Sequence, residues 1–312
     1  MTGKATRQAR MVRLMKALAP VEGYTLTALP DVRLLRCDRP LPVTPVLYEP
    51  GIVIVCQGRK RGFWAGETIL YDAQHVLAVS VPVPFTMETD ASASEPLLAI
   101  YLTLDFQVLA DLVVQLDELA GPPQGRPAGM ASTPMDDRIA ESVLRLLEAM
   151  SSPIDARVLG PALVREIHFR VLSGEQGATM RAALGERGPF GRIAHTIRRL
   201  HATYGERITV GALARDAGMS VPTFHSHFRS VTGSSPMQYL KAMRLHQARL
   251  LMLRNGRTAA AASVDVGYES ASQFSREFKR FFGRTPGDEV ARLRASFAMP
   301  QASGAATWIA SH

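Results

Sequence analysis

The sequence is poor in cysteine and has no long apolar run. Its two cysteines, Cys37 and Cys56, cannot form a disulfide framework, and no Cys-x-x-Cys pair indicates a zinc site. No stretch approaches the roughly 18 consecutive apolar residues that a membrane-spanning helix needs. The basic start is interrupted by Arg13 and Lys16, so it lacks the apolar core of a secretory signal. We therefore expect a cytoplasmic protein without a membrane segment.

The apolar content is sufficient for ordinary globular cores. Hydrophobic residues make up 46% of the 312 residues and charged residues 21%, which excludes wholesale disorder. At roughly 100–200 residues per domain, the length suggests two domains. Positive charge is concentrated towards the C-terminus. Residues 190–294 hold 17 Lys and Arg against 7 Asp and Glu, whereas residues 17–189 hold 14 against 21. This asymmetry points to a polyanionic partner, although solvated faces that bind nothing would give the same count.

The N-terminal half changes its periodicity once. Apolar and β-branched runs separated by Gly and Pro predict strands over 24–104, arranged as a small barrel or a sandwich. From Phe106 the pattern becomes helical, with amphipathic segments at 135–150 and after Pro161. The wide apolar coverage of the last segment suits either a dimer interface or packing against its own barrel. We interpret 173–191 as the interdomain connection.

The basic third contains one unit used twice. Ser220, Phe224, Phe228 and Arg229 are followed by Gly233-x2-Pro236, and the same pattern returns 50 residues later. The repeat positions are Ser270, Phe274, Phe278, Lys279, Gly283 and Pro286.

Each unit has the pattern of a helix-turn-helix. A short helix ends at a glycine, a serine suits the N-cap of the next helix, and phenylalanines four apart face the core. The outer face of the second helix is polar and fits a B-DNA major groove about 12 Å wide. The intervening segment 235–254 predicts a helix long enough to separate two readers by one DNA turn, about 34 Å.

The sequence GALARDAGMSVPTFHSHFRSVTGSSPMQYLKAMRLHQARLLML, followed by VGYESASQFSREFKRFFGRTP, closely resembles the DNA-binding domain of AraC/XylS-type transcription regulators. The stretches LYEPGIVIVCQGRK, YDAQHVLAVSVPVP and LVREIHFRVLSGEQG resemble the N-terminal domain of one subgroup. One departure is Ala262-Ser263, where the family usually has a large aliphatic residue before alanine. We therefore expect looser packing of the first helix in the second unit, and a weaker contribution of that unit to DNA binding.

The resemblance implies an α+β protein. A cupin-like β-barrel (about 20–105) with a helical dimerisation segment (about 106–175) would form an N-terminal domain at 1–180. An all-α DNA-binding domain with two helix-turn-helix units joined by a long helix would occupy 181–298, followed by a tail at 299–312.

The resemblance also implies partners and site residues. The partners are operator DNA, RNA polymerase, a small-molecule effector and a second copy of the chain, and the regulator is most often an activator. The base-reading positions fall on Pro222, His225, Ser226, Ala271, Ser272, Ser275 and Arg276. The helical faces indicate nearly the same residues independently. Arg229 and Lys279 are assigned to phosphate contacts.

The N-terminal half offers weaker signals. Tyr48, Trp64, His75 and Tyr101 have apolar bodies with polar tips and could line an effector pocket. His75 is the one histidine of the predicted barrel and belongs to no His-x-His pair, so we expect no metal site there. The sequence also shows no recognisable catalytic constellation and no cofactor motif. Cys56 lies in an apolar run, and Cys37 stands beside Arg36.

The two cysteines and a basic strip have alternative interpretations. Either thiol is a candidate redox sensor, against the alternative of a small apolar strand residue. The strip GRKRG (58–62) predicts a solvated hairpin, with anion binding as the alternative.

Two other functions compete with a ligand-responsive regulator. One is a cupin-type enzyme with an appended DNA-binding domain, and stoichiometric metal in the purified protein would support it. The other is a non-specific architectural DNA binder. The second is disfavoured because the recognition faces carry Ser, His and Arg rather than uniform positive charge.

Overall fold

The computed structural model describes residues 3–121, 128–174, 177–184 and 188–296. Two antiparallel sheets and a set of helices form the N-terminal half, and the C-terminal part is helical. The N-terminal elements are α1 (Gly3–Leu18), β1 (Gly23–Leu26), β2 (Val32–Cys37), β3 (Leu41–Tyr48), β4 (Gly51–Gln57), β5 (Arg59–Trp64), β6 (Glu67–Asp72), β7 (His75–Val79), β8 (Val83–Asp90), β9 (Leu97–Thr103), α2 (Phe106–Ala120), β10 (Met130–Pro134), α3 (Asp137–Met150), α4 (Pro153–Val158), α5 (Gly160–Ser173) and α6 (Gly177–Leu184).

The strands form two open sheets that share one core. The six-stranded sheet has the order β1-β2-β9-β4-β7-β10, and the four-stranded sheet has the order β3-β8-β5-β6. Residues of both sheets, such as Val53 and Phe85, belong to the same buried cluster. The described strands thus confirm the mixed α and β composition but form two facing sheets, without closure into one ring. The sandwich alternative therefore describes this half better than the barrel.

The apolar run at 51–56 is buried on both faces of β4. Val53 and Val55 point into the core between the sheets, while Ile52, Ile54 and Cys56 point to a second core under α1, α3 and α5. Side chains alternate along a strand, so a strand covered on both faces needs apolar residues at every position.

Helices were found in two places where the sequence patterns had predicted none. The basic N-terminal segment forms α1, which buries Met11 and Met15 in the second core. Its Arg10 pairs with Glu148 of α3 at 2.7 Å. The proposed connection at 173–191 contains α6 and the start of the next helix. The domain limit near 180 and the tail at 299–312 stay predictions, and the tail lies outside the described residues.

The C-terminal elements are α7 (Gly188–Thr203), α8 (Val210–Asp216), α9 (Val221–Thr232), α10 (Pro236–Arg254), α11 (Ala259–Asp265), α12 (Ala271–Phe282) and α13 (Pro286–Ser296). The helix α8 packs against α9, and α11 packs against α12, so the two pairs of the sequence repeat are present. The long helix α10 lies between the pairs and contacts α9 and α12, the second helix of each pair, which we call the recognition helices.

Candidate nucleic-acid interface

The ends of both recognition helices have the caps that the repeat predicts. Ser220 accepts a hydrogen bond from the Thr223 amide, and Ser270 accepts one from the Gln273 amide. Gly233 and Gly283 end the helices in the left-handed conformation, at φ 72° and 76°. A glycine is favoured there because a β-carbon destabilises that backbone region. The caps therefore define the length and register of α9 and α12.

Buried phenylalanines orient the two helices. Phe224 and Phe228 are fully buried on the inner face of α9, and Phe274 and Phe278 are fully buried on that of α12. The opposite faces are exposed at Pro222, Ser226 and Arg229, and at Ala271, Ser272, Ser275, Arg276 and Lys279; His225 is half-buried. Every residue assigned to base or phosphate contact thus lies on the outer part of its helix.

The departure at Ala262-Ser263 lies in the core of the second unit. Both residues are fully buried, and the Ser263 hydroxyl donates to the Ala260 carbonyl at 2.7 Å. The second unit closes its own core around Phe274, Phe278 and Phe282.

A buried ion pair in this second unit was missed by sequence reasoning. Arg249 of α10 and Glu289 of α13 are each 1% exposed and lie 3.2 Å apart. The guanidinium carbon of Arg249 lies 4.2 Å from the centroid of the Phe282 ring, and an N–H of the guanidinium donates to His246 Nδ1 at 3.1 Å. Burial and the Arg249 charge hold the pKa of His246 well below its usual value. The pair joins the long helix to the last helix.

The candidate effector residues separate in the structure. The hydroxyls of Tyr48 and Tyr101 are 3.1 Å apart in the core between the sheets. His75 instead pairs with Asp72 at 2.8 Å, and Trp64 donates its indole N–H to the Thr232 carbonyl of α9 at 3.0 Å. The predicted four-residue pocket is therefore divided, because strand pairing carries these side chains to different contacts.

The polar cluster in the sheet core centres on a lysine. Lys60 is fully buried, and its amine donates to Tyr48 at 3.2 Å and to Tyr101 at 3.0 Å. Burial lowers the pKa of Lys60 to about 7. The solvated hairpin predicted for GRKRG is wrong at this residue, because alternation along β5 exposes Arg59 and Arg61 but turns Lys60 inward. The same alternation in the printed sequence was the signal that could have found it.

Both thiols are buried in strands. Burial raises the pKa of the Cys56 thiol to about 12 and also raises that of Cys37. Cys37 donates to the Arg39 carbonyl at 3.2 Å, while the Arg36 side chain pairs with Asp38. This environment is the opposite of the stabilised thiolate that a redox sensor needs.

A groove separates the four-stranded sheet from α10 and α12. Its volume is about 440 Å³, and its walls include Phe63 and Phe85 on one side and Lys241 and Arg280 on the other. Lys241 pairs with Glu277 at 2.9 Å. The groove therefore has an apolar wall on the sheet side and cationic side chains of α10 and α12 on the other.

The described residues contain neither a cluster of metal ligands nor a membrane-spanning helix. At 3–121, 128–174, 177–184 and 188–296, no three His, Cys, Asp or Glu side chains are placed to share a metal ion. No helix in that part of the chain is long and apolar enough to cross a bilayer.

Two sequence families match adjacent parts of the chain. The AraC-type transcriptional regulator N-terminus matches residues 28–179, and a helix-turn-helix domain matches residues 213–292.

Curated relatives and a solved structure extend these matches. RclR, an RCS-specific HTH-type transcriptional activator of Escherichia coli strain K12, is 35% identical over 103 residues, 33% of this chain and 36% of that protein. The match thus spans about a third of that relative. The thermoregulatory protein LcrF of Yersinia pestis is 22% identical over 254 residues, 78% of this chain and 92% of that protein.

The fold resembles that of ToxT from Vibrio cholerae strain SCE256, solved with an unsaturated fatty acid bound. The TM-score is 0.57 at 10% identity, over 89% of this chain and 100% of ToxT. The two family matches, the relatives and the shared fold agree with the capped helix pairs, and the chain belongs to the AraC-type transcriptional regulators.

Proposed function

We propose that this protein binds a specific double-stranded DNA operator with α9 and α12 and regulates transcription from it. The observation that carries the proposal is the repeat in three dimensions: two capped helices, offset by 50 residues, whose inner faces are buried and whose outer faces are exposed and polar. In the second unit, Arg276 is exposed, and its guanidinium can pair with guanine O6 and N7. Arg229 and Lys279, near the helix ends, are assigned to phosphate.

The remaining base-reading assignments differ in chemistry. Ser226, Ser272 and Ser275 are permissive hydrogen-bonding partners of bases, and His225 contributes from the flank of α9. Pro222 and Ala271 offer no side-chain hydrogen bond, so their role is either apolar contact with a thymine methyl group or shaping the approach of the helix.

The N-terminal half is assigned to sensing and dimerisation. We propose a cupin-like effector domain built from the two sheets, and a homodimer formed through the helical segment. An exposed apolar strip on α4 and at the start of α5, which includes Ile154, Val158 and Leu159, supports the second assignment. RclR is a transcriptional activator, and so is the similar virulence regulon protein VirF of Yersinia enterocolitica. This favours activation, and hence contact with RNA polymerase in the cytoplasm.

The groove at α10 and α12 suggests an effector class. Its apolar wall and its cations suit an apolar carboxylic acid, and two ToxT structures were solved with an unsaturated fatty acid and with a naphthalenyl butenoic acid. The test is calorimetric titration with a long-chain fatty acid and with the matching alcohol. Tighter binding of the acid, weakened by Arg280→Gln, supports the assignment; equal binding of both ligands contradicts it.

The proposed function is tested by selecting bound sites from a random double-stranded DNA pool at about 0.15 M salt. A motif of two segments about one helical turn apart is the expected result. A motif of one segment would remove base reading from one unit. Equal recovery of all sequences would contradict specific regulation and support the architectural alternative.

A further inference from the structure

The two helix pairs differ in how their cores are completed. Phe224, Phe228 and Val231 of the first pair belong to the same buried cluster as Val81 and Val83 of the N-terminal domain. The second pair, α11 and α12, packs around Phe274, Phe278 and Phe282 in a separate cluster with α10 and α13, and α12 reaches the N-terminal domain through contacts with β3 outside that cluster. The first unit therefore shares its core with the N-terminal domain, whereas the second unit closes its own.

Hydrogen bonds fasten the end of the first recognition helix to the N-terminal domain. The Trp64 indole N–H donates to the Thr232 carbonyl, and the Gly129 amide donates to the Val231 carbonyl, each at 3.0 Å. These carbonyls belong to the last turn of α9. The carbonyls of a helix's last turn have no amide of the same helix from which to accept a hydrogen bond. The N-terminal domain thus supplies donors that the helix lacks.

A third contact joins α7 and α10 to the N-terminal domain. The Tyr239 hydroxyl of α10 donates to the Pro82 carbonyl at 2.8 Å, and His201 lies 2.8 Å from the same hydroxyl. Since the tyrosine proton points to Pro82, the histidine nitrogen acts as the donor to the tyrosine oxygen. This chain links α7, α10 and the loop before β8.

The repeat provides an internal comparison at the helix caps. A β-carbon on Gly233 would lie 2.8 Å from the Trp64 indole nitrogen and 3.1 Å from the Ala65 methyl group. At the equivalent Gly283, a β-carbon would have nothing within 4 Å. The backbone conformations are nearly the same, at φ 72° and 76°. The two caps therefore differ in the neighbour, not in the helix ending.

The neighbouring hairpin tip has an unusual residue. Trp64 pairs with Glu67, which leaves Ala65 and Gly66 as a two-residue turn with φ values of 54° and 88°. Asparagine or glycine is favoured at the first position of such a turn. Among the described residues, Ala65 is the sole non-glycine residue with a positive φ. Its small methyl group lies against the α9 cap at Gly233. Alanine thus fits the contact with α9, although it is less favourable for the turn than asparagine or glycine.

We propose that the N-terminal domain controls the first recognition helix through this hairpin tip (Trp64, Ala65 and Gly66), whereas the cap of the second recognition helix at Gly283 has no such neighbour. The inference rests on the proposed DNA-binding function. The docked tip contacts the C-terminal end of α9 and leaves Pro222, Ser226 and Arg229 exposed. The docked form is therefore the form that reads the first operator segment, and release of the tip loosens the helix that reads it.

The test compares full-length variants on the selected operator and on two versions with one segment scrambled. Gly233→Ala introduces the clash with the indole, and Gly283→Ala is the matched control with the same backbone change. Trp64→Phe removes the donor but keeps an aromatic ring, and Trp64→Ala removes the ring.

We expect Gly233→Ala and Trp64→Ala to reduce the discrimination against the scrambled first segment by about tenfold, within the usual range of coupling between sites. Discrimination against the scrambled second segment should persist. Gly283→Ala should leave first-segment reading unchanged. The double variant Gly233→Ala/Trp64→Ala should lose less than the sum of the two single variants, because the indole that clashes is gone. Unchanged or stronger first-segment discrimination in both single variants would overturn the inference.

A measurement without DNA separates the contact from the function. Trp308, the other tryptophan, lies outside the described residues, so Trp308→Phe leaves Trp64 as the sole indole reporter. In that background, Gly233→Ala should shift Trp64 emission to longer wavelength, and Gly283→Ala should not. Equal emission in both variants would overturn the docking contact. Absence of sequence preference in the unaltered protein would instead defeat the proposed function, whatever the emission shows.

Discussion

Replacing Glu289 by glutamine is expected to release α13 from α10. The carboxylate is the buried counter-ion of Arg249, and both side chains are 1% exposed. Glutamine keeps the shape but leaves the guanidinium without a negative partner. Breaking a buried pair costs about 3–5 kcal/mol. Because an amide oxygen still accepts from Arg249, we expect the lower end, about 3 kcal/mol.

Removal of the other partner should cost less. Glu289 also accepts from Arg292, at 2.8 and 2.9 Å, so Arg249→Met leaves the carboxylate paired. The order of destabilisation is therefore Glu289→Gln greater than Arg249→Met. The exposed Glu269 of the same unit provides the control Glu269→Gln, which should have little effect.

Hydrogen exchange followed by mass spectrometry is the suitable assay, because it measures local opening in a chain whose parts need not unfold together. Protection of amides in α13 should fall about 100-fold in Glu289→Gln, the equivalent of about 3 kcal/mol. Unchanged protection, or a larger loss in Arg249→Met than in Glu289→Gln, would refute the reasoning about the stranded guanidinium.

Three further predictions follow from the site geometry. Arg276→Ala should relax specificity at one base position and cost about 1–3 kcal/mol of binding free energy, measured by titrating operators with single base changes; the same profile as the parent would contradict its base-reading role. Lys279→Ala should weaken binding to all sequences and reduce the salt slope by about 1, and an unchanged slope would remove it from the phosphate contacts. The buried Lys60 amine has its pKa lowered to about 7, so between pH 7 and 10 the unfolded chain binds more protons than the folded one. The free energy of unfolding should therefore rise with pH across that window. Lys60→Met should flatten this rise, because the titrating amine is removed. Chemical denaturation at several pH values checks the last prediction, and an equally steep rise in the variant would contradict it.

Much of the proposed DNA-binding surface could be predicted from residue spacing alone. Serines at N-caps, glycines at C-caps and phenylalanines four apart are short-range signals, because hydrogen bonds and contacts within one or two turns set them. Each signal is common by itself, but the same set of signals recurs at an offset of 50 residues, which makes the helix-turn-helix prediction specific. The helices α9 and α12 lie where the pattern places them. Which bases they contact stays a prediction.

The N-terminal half was less legible because its contacts join distant strands. Lys60 is buried between two tyrosines that lie 12 and 41 residues away in the chain. Its neighbours Arg59 and Arg61 made the segment look like a solvated strip. The helix α1 was missed because basic residues interrupt its apolar ones, and its stability comes from packing on α3 and β4 rather than from a strong pattern.

The sequence by itself determined the local elements: strands with punctuating Gly and Pro, two capped helix pairs, and the basic charge of the DNA-binding third. Only the tertiary structure decided that Trp64 belongs to the cap of α9 rather than to an effector pocket, and that Lys60 faces inward. It also decided that the first helix pair shares a core with the N-terminal domain while the second does not. Local elements depend on interactions within a few residues, whereas these placements depend on contacts between distant parts of the chain, such as the hydrogen bond from the Trp64 indole to the Thr232 carbonyl across 168 residues.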